Sequence, residues 1–172
     1  MSLIEGFVSP KDLLLKMFRE GRRTHLSERE EDVADHFLNF CITAHSLRDW
    51  CIKEKSIPQQ SLHDYCNKSI YLEHCRDIAN SSKHFGLRSG SGSTVQQVSN
   101  DIAKFQTINS NGEILEDHHD RNTLIIELPD GTEQLLMMFL YNVGTKWLEI
   151  FDFYNIDALP ETVVGEMFID FK

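Results

Sequence analysis

Apolar positions along the chain fall into two textures. Up to about residue 88 they recur at helical intervals; between about 95 and 133 they gather in short runs bounded by turn residues. Ser9-Pro10, with Asp12 in the first turn, reads as a helix start and Gly21 as its stop, giving a first helix at about 10–20. Ser27 and Glu30 have capping-box spacing, and Val33, Phe37, Cys41, Ala44, Leu47 and Cys51 follow at helical steps, so a long second helix ends near Lys55. Pro58 opens a third helix that Gly86 closes, and its second half puts Tyr71, Leu72, Cys75, Ile78 and Ala79 on one apolar face.

The texture then changes. SGSGST at 89–94 reads as a flexible loop with no capacity to pack. KFQTIN (104–109) and EIL (113–115) flank Ser110-Asn111-Gly112, a hairpin signal, and NTLIIEL (122–128) meets a second turn at Pro129-Asp130-Gly131. From 134 to 154, Leu136, Phe139, Val143, Trp147, Ile150 and Tyr154 fit a helix despite Gly144. The tail, with Asp157, Glu161, Glu166 and Asp170 against Lys172, reads as an irregular acidic arm over 155–172. The expected fold is α+β: one domain over 1–172, a mostly helical three- to four-helix bundle with a small antiparallel β-hairpin sheet inserted at about 95–133, before the last long helix.

Composition narrows the function classes. A chain of 172 residues with 41% apolar content can bury a core without a disulfide or metal staple. Its net charge of −10 opposes non-specific nucleic-acid binding, so any RNA role needs a local basic patch. The four cysteines, Cys41, Cys51, Cys66 and Cys75, fall in helical segments and form no CxxC pair, which suits reduced, packed thiols in a cytoplasmic protein. The longest apolar run, LLMMFLY at 135–141, is far short of a membrane span, and the N-terminus carries no secretion signal pattern.

Candidate chemistry concentrates in CRDIANSSKHFGL, residues 75–87. Arg76, Asn80 and His84 stand at i, i+4 and i+8 and form a polar stripe, with Asp77 and Lys83 beside it. From 68 to 88 the segment carries Lys68, Arg76, Lys83 and Arg88 against Glu73 and Asp77, so it is locally basic and suited to a phosphate. Arg76 offers a planar fork for phosphate oxygens, His84 an imidazole that titrates near neutrality, and Asn80 an amide to orient ribose or phosphate. Eight residues of helix separate Arg76 from His84 by about 12 Å, so one active site needs a second protomer or a kink. The competing reading is an ordinary solvated helix end, where cations complement the dipole.

Other clusters read as structural. Asp117-His118-His119-Asp120 invites a metal, but neighbours on an extended chain point to opposite sides, and a polar loop is the simpler reading. Cys41, His45, His74 and Cys75 hold zinc-ligand types, yet Cys41 belongs to an apolar stripe and reads as core. Trp50 beside Arg48 and Lys53 reads as either a base-stacking platform or a cover for the bundle end. Walker, dinucleotide-binding and GxSxG patterns do not occur.

An Arg, a polar neighbour and then a His near the end of a penultimate helix resemble the motif of HEPN domains, many of which are metal-independent endoribonucleases of bacterial toxin and phage-defence systems. Arg76 followed by Asp77 matches the Arg-polar start, and His84 stands for the motif histidine, at seven intervening residues where the family has four to six. The resemblance implies a cytoplasmic, dimeric ribonuclease that acts on RNA without metal or cofactor: Arg76, Asn80 and His84 are catalytic, and Asp77 and Lys83 contact substrate. The alternative is a non-catalytic helical protein-interaction module.

Overall fold

The computed structural model describes residues 3–55, 57–84, 92–109, 111–157 and 159–170, and the side chains at 54, 55, 83, 84, 107, 108 and 116–118 also lie outside the description. In chain order come α1 (Pro10–Leu26), α2 (Glu30–Lys55), α3 (Gln59–Cys66), α4 (Ile70–His84), β1 (Gln97–Ile108), β2 (Ile114–Glu127), β3 (Glu133–Leu135), α5 (Leu136–Phe153) and α6 (Thr162–Glu166). The α+β expectation holds: a mostly helical fold carries one antiparallel sheet, ordered β1-β2-β3, immediately before the last long helix.

Ser9 caps α1 reciprocally with Asp12, as the sequence indicates. Gly21, however, does not stop this helix, which runs on to Leu26. The glycine serves close packing instead: a Cβ there would sit 2.5 Å from Met167 Sδ and 3.2 Å from the Phe40 ring. Phe37, Phe40, Cys41, Ala44 and Leu47 of α2 form the centre of the core, joined by Leu14 and Met17 of α1 and Phe139, Val143, Trp147 and Ile150 of α5.

The single helix expected from Pro58 onward is two helices. The Asn67 N–H closes α3 on the carbonyls of His63 and Tyr65, and the Ser69 carbonyl then accepts the first α4 amides, from Leu72 and Glu73. The expected closure at Gly86 lies outside the described residues.

The sheet is longer than its sequence pieces. β1 begins at Gln97, and Ile114–Glu127, which takes in DHHD and all but the outer residues of EIL and NTLIIEL, is one strand, β2, paired with β1 from Gln97↔Glu127 to Ile108↔Ile114. Asp117 to Asp120 therefore belong to a strand and not to a polar loop; Lys104 faces Asp120 and Phe105 faces His119 across the ribbon. Polar residues suit this distal half because much of it meets solvent, and Arg121 ties it to the bundle by donating to the His25 carbonyl at 3.2 Å. Gly131, at φ 82°, makes the second turn, which Asp130 stabilises by accepting from the Thr132 amide and hydroxyl.

The tail is not an irregular arm. It forms the short helix α6, buries Ile156, Val164 and Met167, and is held by Arg22, whose guanidinium donates to the carbonyls of Glu166 and Ile169.

Candidate functional site

α4 places the stripe. It is helical from Ile70 to His84, and at about 100° per residue Arg76, Asp77, Asn80, Lys83 and His84 share an arc of about 120° on its surface. Cys75, Ile78 and Ala79 fill the opposite side of the helix and are buried. The side chains of Lys83 and His84 lie outside the described residues, and so does Arg88.

Arg76 and Asp77 are held in a hydrogen-bonded network. Arg76 Nε donates to Asp77 Oδ1 at 2.9 Å, and its Nη1 reaches Glu73 Oε1 at 3.4 Å. The other Asp77 oxygen accepts from both the Thr94 amide, at 2.8 Å, and the Thr94 hydroxyl, at 2.9 Å. Burial alone would raise the Asp77 carboxyl, but the Thr94 N–H, the Arg76 guanidinium and the Thr94 hydroxyl outweigh it and keep the group below its usual range. Burial likewise opposes the Arg76 charge, and the two carboxylates overcome it, raising the guanidinium further.

His74 completes the network from one turn away. The single Thr94 hydroxyl hydrogen goes to Asp77, so the contact of 2.9 Å between Thr94 Oγ1 and His74 Nδ1 requires a proton on Nδ1. Burial keeps this imidazole less basic than usual, against the pull of Asp77 and Glu73. The ring stacks on Phe139 of α5, with centroids 6.5 Å apart. Thr94 belongs to the SGSGST stretch read as unable to pack, yet it supplies the contact that fastens this stretch to α4.

Arg76 also lines a small cavity where four helices meet. His45 and Arg48 of α2, Glu73 of α4, Asn67 between α3 and α4, and Trp147 of α5 share it. Arg48 thus shares a cavity wall with Arg76, and Trp50 packs, partly buried, against the core. A larger groove of about 650 Å³ opens on the other flank of α4, where Asp77, Ser81 and Ser82 face Phe37, Leu38, Val95 and Val98.

The cysteines sit where nucleophilic chemistry is disfavoured. Cys41 and Cys75 approach to 4.0 Å between sulfurs, burial raises Cys41 well above its usual value, and burial pushes Cys66 up to about 11 against the pull of Arg48. Among the described residues, no three His, Cys, Asp or Glu side chains gather as metal ligands, and no helix is long and apolar enough to cross a membrane.

A further polar cluster has almost no signature in the sequence. Glu20, buried at the α1–α2 interface, meets Arg23 at 3.0 Å, Lys16 at 3.7 Å and His36 Nδ1 at 3.0 Å. Its members are spread from 16 to 36, and only the spacings of four from Lys16 to Glu20 and three from Glu20 to Arg23 hint at it. No family profile, no curated protein and no solved structure matches this chain.

Proposed function

We propose that this chain is a non-catalytic helical protein-interaction module that docks through the start of α5, with a second copy of itself as partner. One observation carries the reading: Leu135, Met137, Met138 and Tyr141 are 60, 44, 49 and 46% exposed. Leu136, Phe139, Leu140 and Val143 bury the core side of the same helix, so its outer side should be polar if it faced only water. Met137 and Met138 each lie within one turn of Tyr141, so the exposed side chains form one patch. Covering such a patch recovers about 25 cal/mol per Å² of apolar area, and unbranched methionines adapt to an opposing surface. A groove of about 330 Å³ between α5 and residues 159–164 adjoins it at Tyr141, with Leu148, Leu159 and Val164 along its walls beside the carboxylates of Glu149, Asp152 and Glu161. In sedimentation equilibrium the protein is expected to be dimeric at micromolar concentration, and Met138→Asp and Tyr141→Asp to be monomeric with unchanged circular dichroism. A monomeric parent protein, or variants that dimerise as the parent does, would overturn the reading.

A second reading is a HEPN-like, metal-independent endoribonuclease: the unbroken α4 keeps Arg76, Asn80, Lys83 and His84 on one arc but leaves Arg76 and His84 about 12 Å apart along the axis, so the site would have to form between two protomers. In that reading Arg76 stabilises phosphate charge, Asn80 orients the substrate, His84 transfers protons, and Asp77 and Lys83 contact RNA from the flanks. The paired carboxylates weigh against it, since Glu73 and Asp77 already neutralise Arg76. Incubation with RNA in a chelator decides: cleavage lost in both Asn80→Ala and His84→Ala would install the enzyme, and an inert parent protein would remove it.

A further inference from the structure

Two residues that line the small cavity beside Arg76 carry buried donors without acceptors. Trp147 is only 1% exposed, and its Nε1–H has no hydrogen-bond partner; the buried Nε–H of Arg48 has none either. Both residues line the same space of about 20 Å³, enough for one small sphere and too little for a phosphate or sulfate. A buried donor left unpaired bears its full desolvation penalty, larger still for a charged group, so native proteins rarely tolerate it.

The surroundings determine what kind of acceptor fits. Among the described residues, the carboxylate paired with Arg48 is Asp49, at 4.0 Å, beyond hydrogen-bond reach. The carboxylate lining the cavity is Glu73, which already receives Arg76. A water accepting from Arg48 and Trp147 would need acceptors for two hydrogens of its own, which His45, Asn67 or Glu73 would have to supply. A monatomic anion brings none and offsets the Arg48 charge.

We propose that this junction is a halide site, in which one chloride accepts from Arg48 Nε and Trp147 Nε1 and thereby joins α2 to α5 next to α4. The site is independent of the α5 surface patch, since its ligands lie inside the bundle.

The two tryptophans make the test direct, because Trp50→Phe leaves Trp147 as the one indole. Added to chloride-free buffer, bromide should quench this emission along a saturating curve. Arg48→Lys, which keeps the charge but removes Nε–H, should raise the half-quenching concentration about tenfold or more, and Arg48→Met should leave only linear, collisional quenching. Crystals grown in bromide should show an anomalous peak within hydrogen-bond distance of both nitrogens. Linear quenching identical in the Trp50→Phe protein and its Arg48 variants would overturn the proposal, and so would a site occupied by water with no anomalous signal.

Discussion

Two buried carboxylates, Glu20 and Asp77, do comparable work in different parts of the molecule. Glu20 joins α1 to α2 by gathering Lys16, Arg23 and the His36 ring, and Lys16 extends the cluster by donating to Thr43 Oγ1 at 2.8 Å. Asp77 joins α4 to the chain entering β1 with one guanidinium and two donors from Thr94. Of the two, Asp77 alone stands in a motif-like stretch of sequence, directly after Arg76. Proximity along the chain makes that anchor conspicuous, although the physics of the two is alike. The difference lies in the partners: those of Glu20 are side chains that reach solvent, whereas one of those of Asp77 is a half-buried backbone amide that cannot swing away.

That difference sets the largest expected effect. Asp77→Ala strands the Thr94 amide and hydroxyl and leaves Arg76 with Glu73 alone, and it should cost about 3–5 kcal/mol by urea denaturation. Glu20→Ala leaves Lys16, Arg23 and His36 able to turn toward water, and about 1–2 kcal/mol is expected. Equal losses would show that the amide is not what distinguishes the two anchors.

Acid separates the two regions as well. His25, just beyond Glu20 on α1, packs edge-on against Phe105 and Phe168, and burial, helped by Arg121, lowers its pKa from 6.5 to about 4. Between those values the unfolded chain binds the proton and the folded chain does not. The stabilisation from neutral His25 is therefore complete above pH 6.5 and falls away toward pH 4, by about 3 kcal/mol in all. Asp77, whose pKa is lowered, keeps its contribution through that window and loses it only as pH drops below the usual 3.8 and through its own folded value. Unfolding free energies from pH 7 to 4 should decline in the parent protein and flatten in His25→Phe. An unchanged slope in that variant would place the acid sensitivity elsewhere, with buried His74 as the next group to replace.

These anchors also show what is legible in a sequence. Ser9, Pro10 and Asp12 announce the start of α1 because a cap is a local device, readable within four residues. The period of apolar positions places α2 and α5 for the same reason. Gly21 and the Asn67–Ser69 break are opaque because their meaning is tertiary. One glycine makes room for Met167, about 146 positions away, and one helix gives way to another where the chain turns back on the bundle. β2 shows only in fragments because its exposed half lacks the apolar alternation that marks a strand. Within the candidate site, helical periodicity alone gives the shared arc of Arg76, Asn80 and His84. Thr94, Arg48 and Trp147 come from distant segments, and no spacing rule points to them.

Gly21 supplies the smallest and most delicate test, one residue beyond Glu20. Replacing a helical glycine by alanine normally gains up to about 1 kcal/mol through reduced backbone entropy. Here the new Cβ would meet Met167 Sδ at 2.5 Å and two Phe40 ring atoms at 3.2 Å. The thioether can swing aside, because methionine has three rotatable bonds, but the fully buried Phe40 ring has nowhere to go. Overpacking of this kind costs about 1–3 kcal/mol and should exceed the helical gain, lowering Tm by about 2–4 °C. Gly144→Ala, whose Cβ would come 2.9 Å from the Phe18 ring and 3.4 Å from Met167 and Val164, should behave alike. If Gly21→Ala instead raised Tm, α6 would be the yielding partner, and the rigidity of the α1 region would rest on the Glu20 cluster and Phe40 without help from the tail.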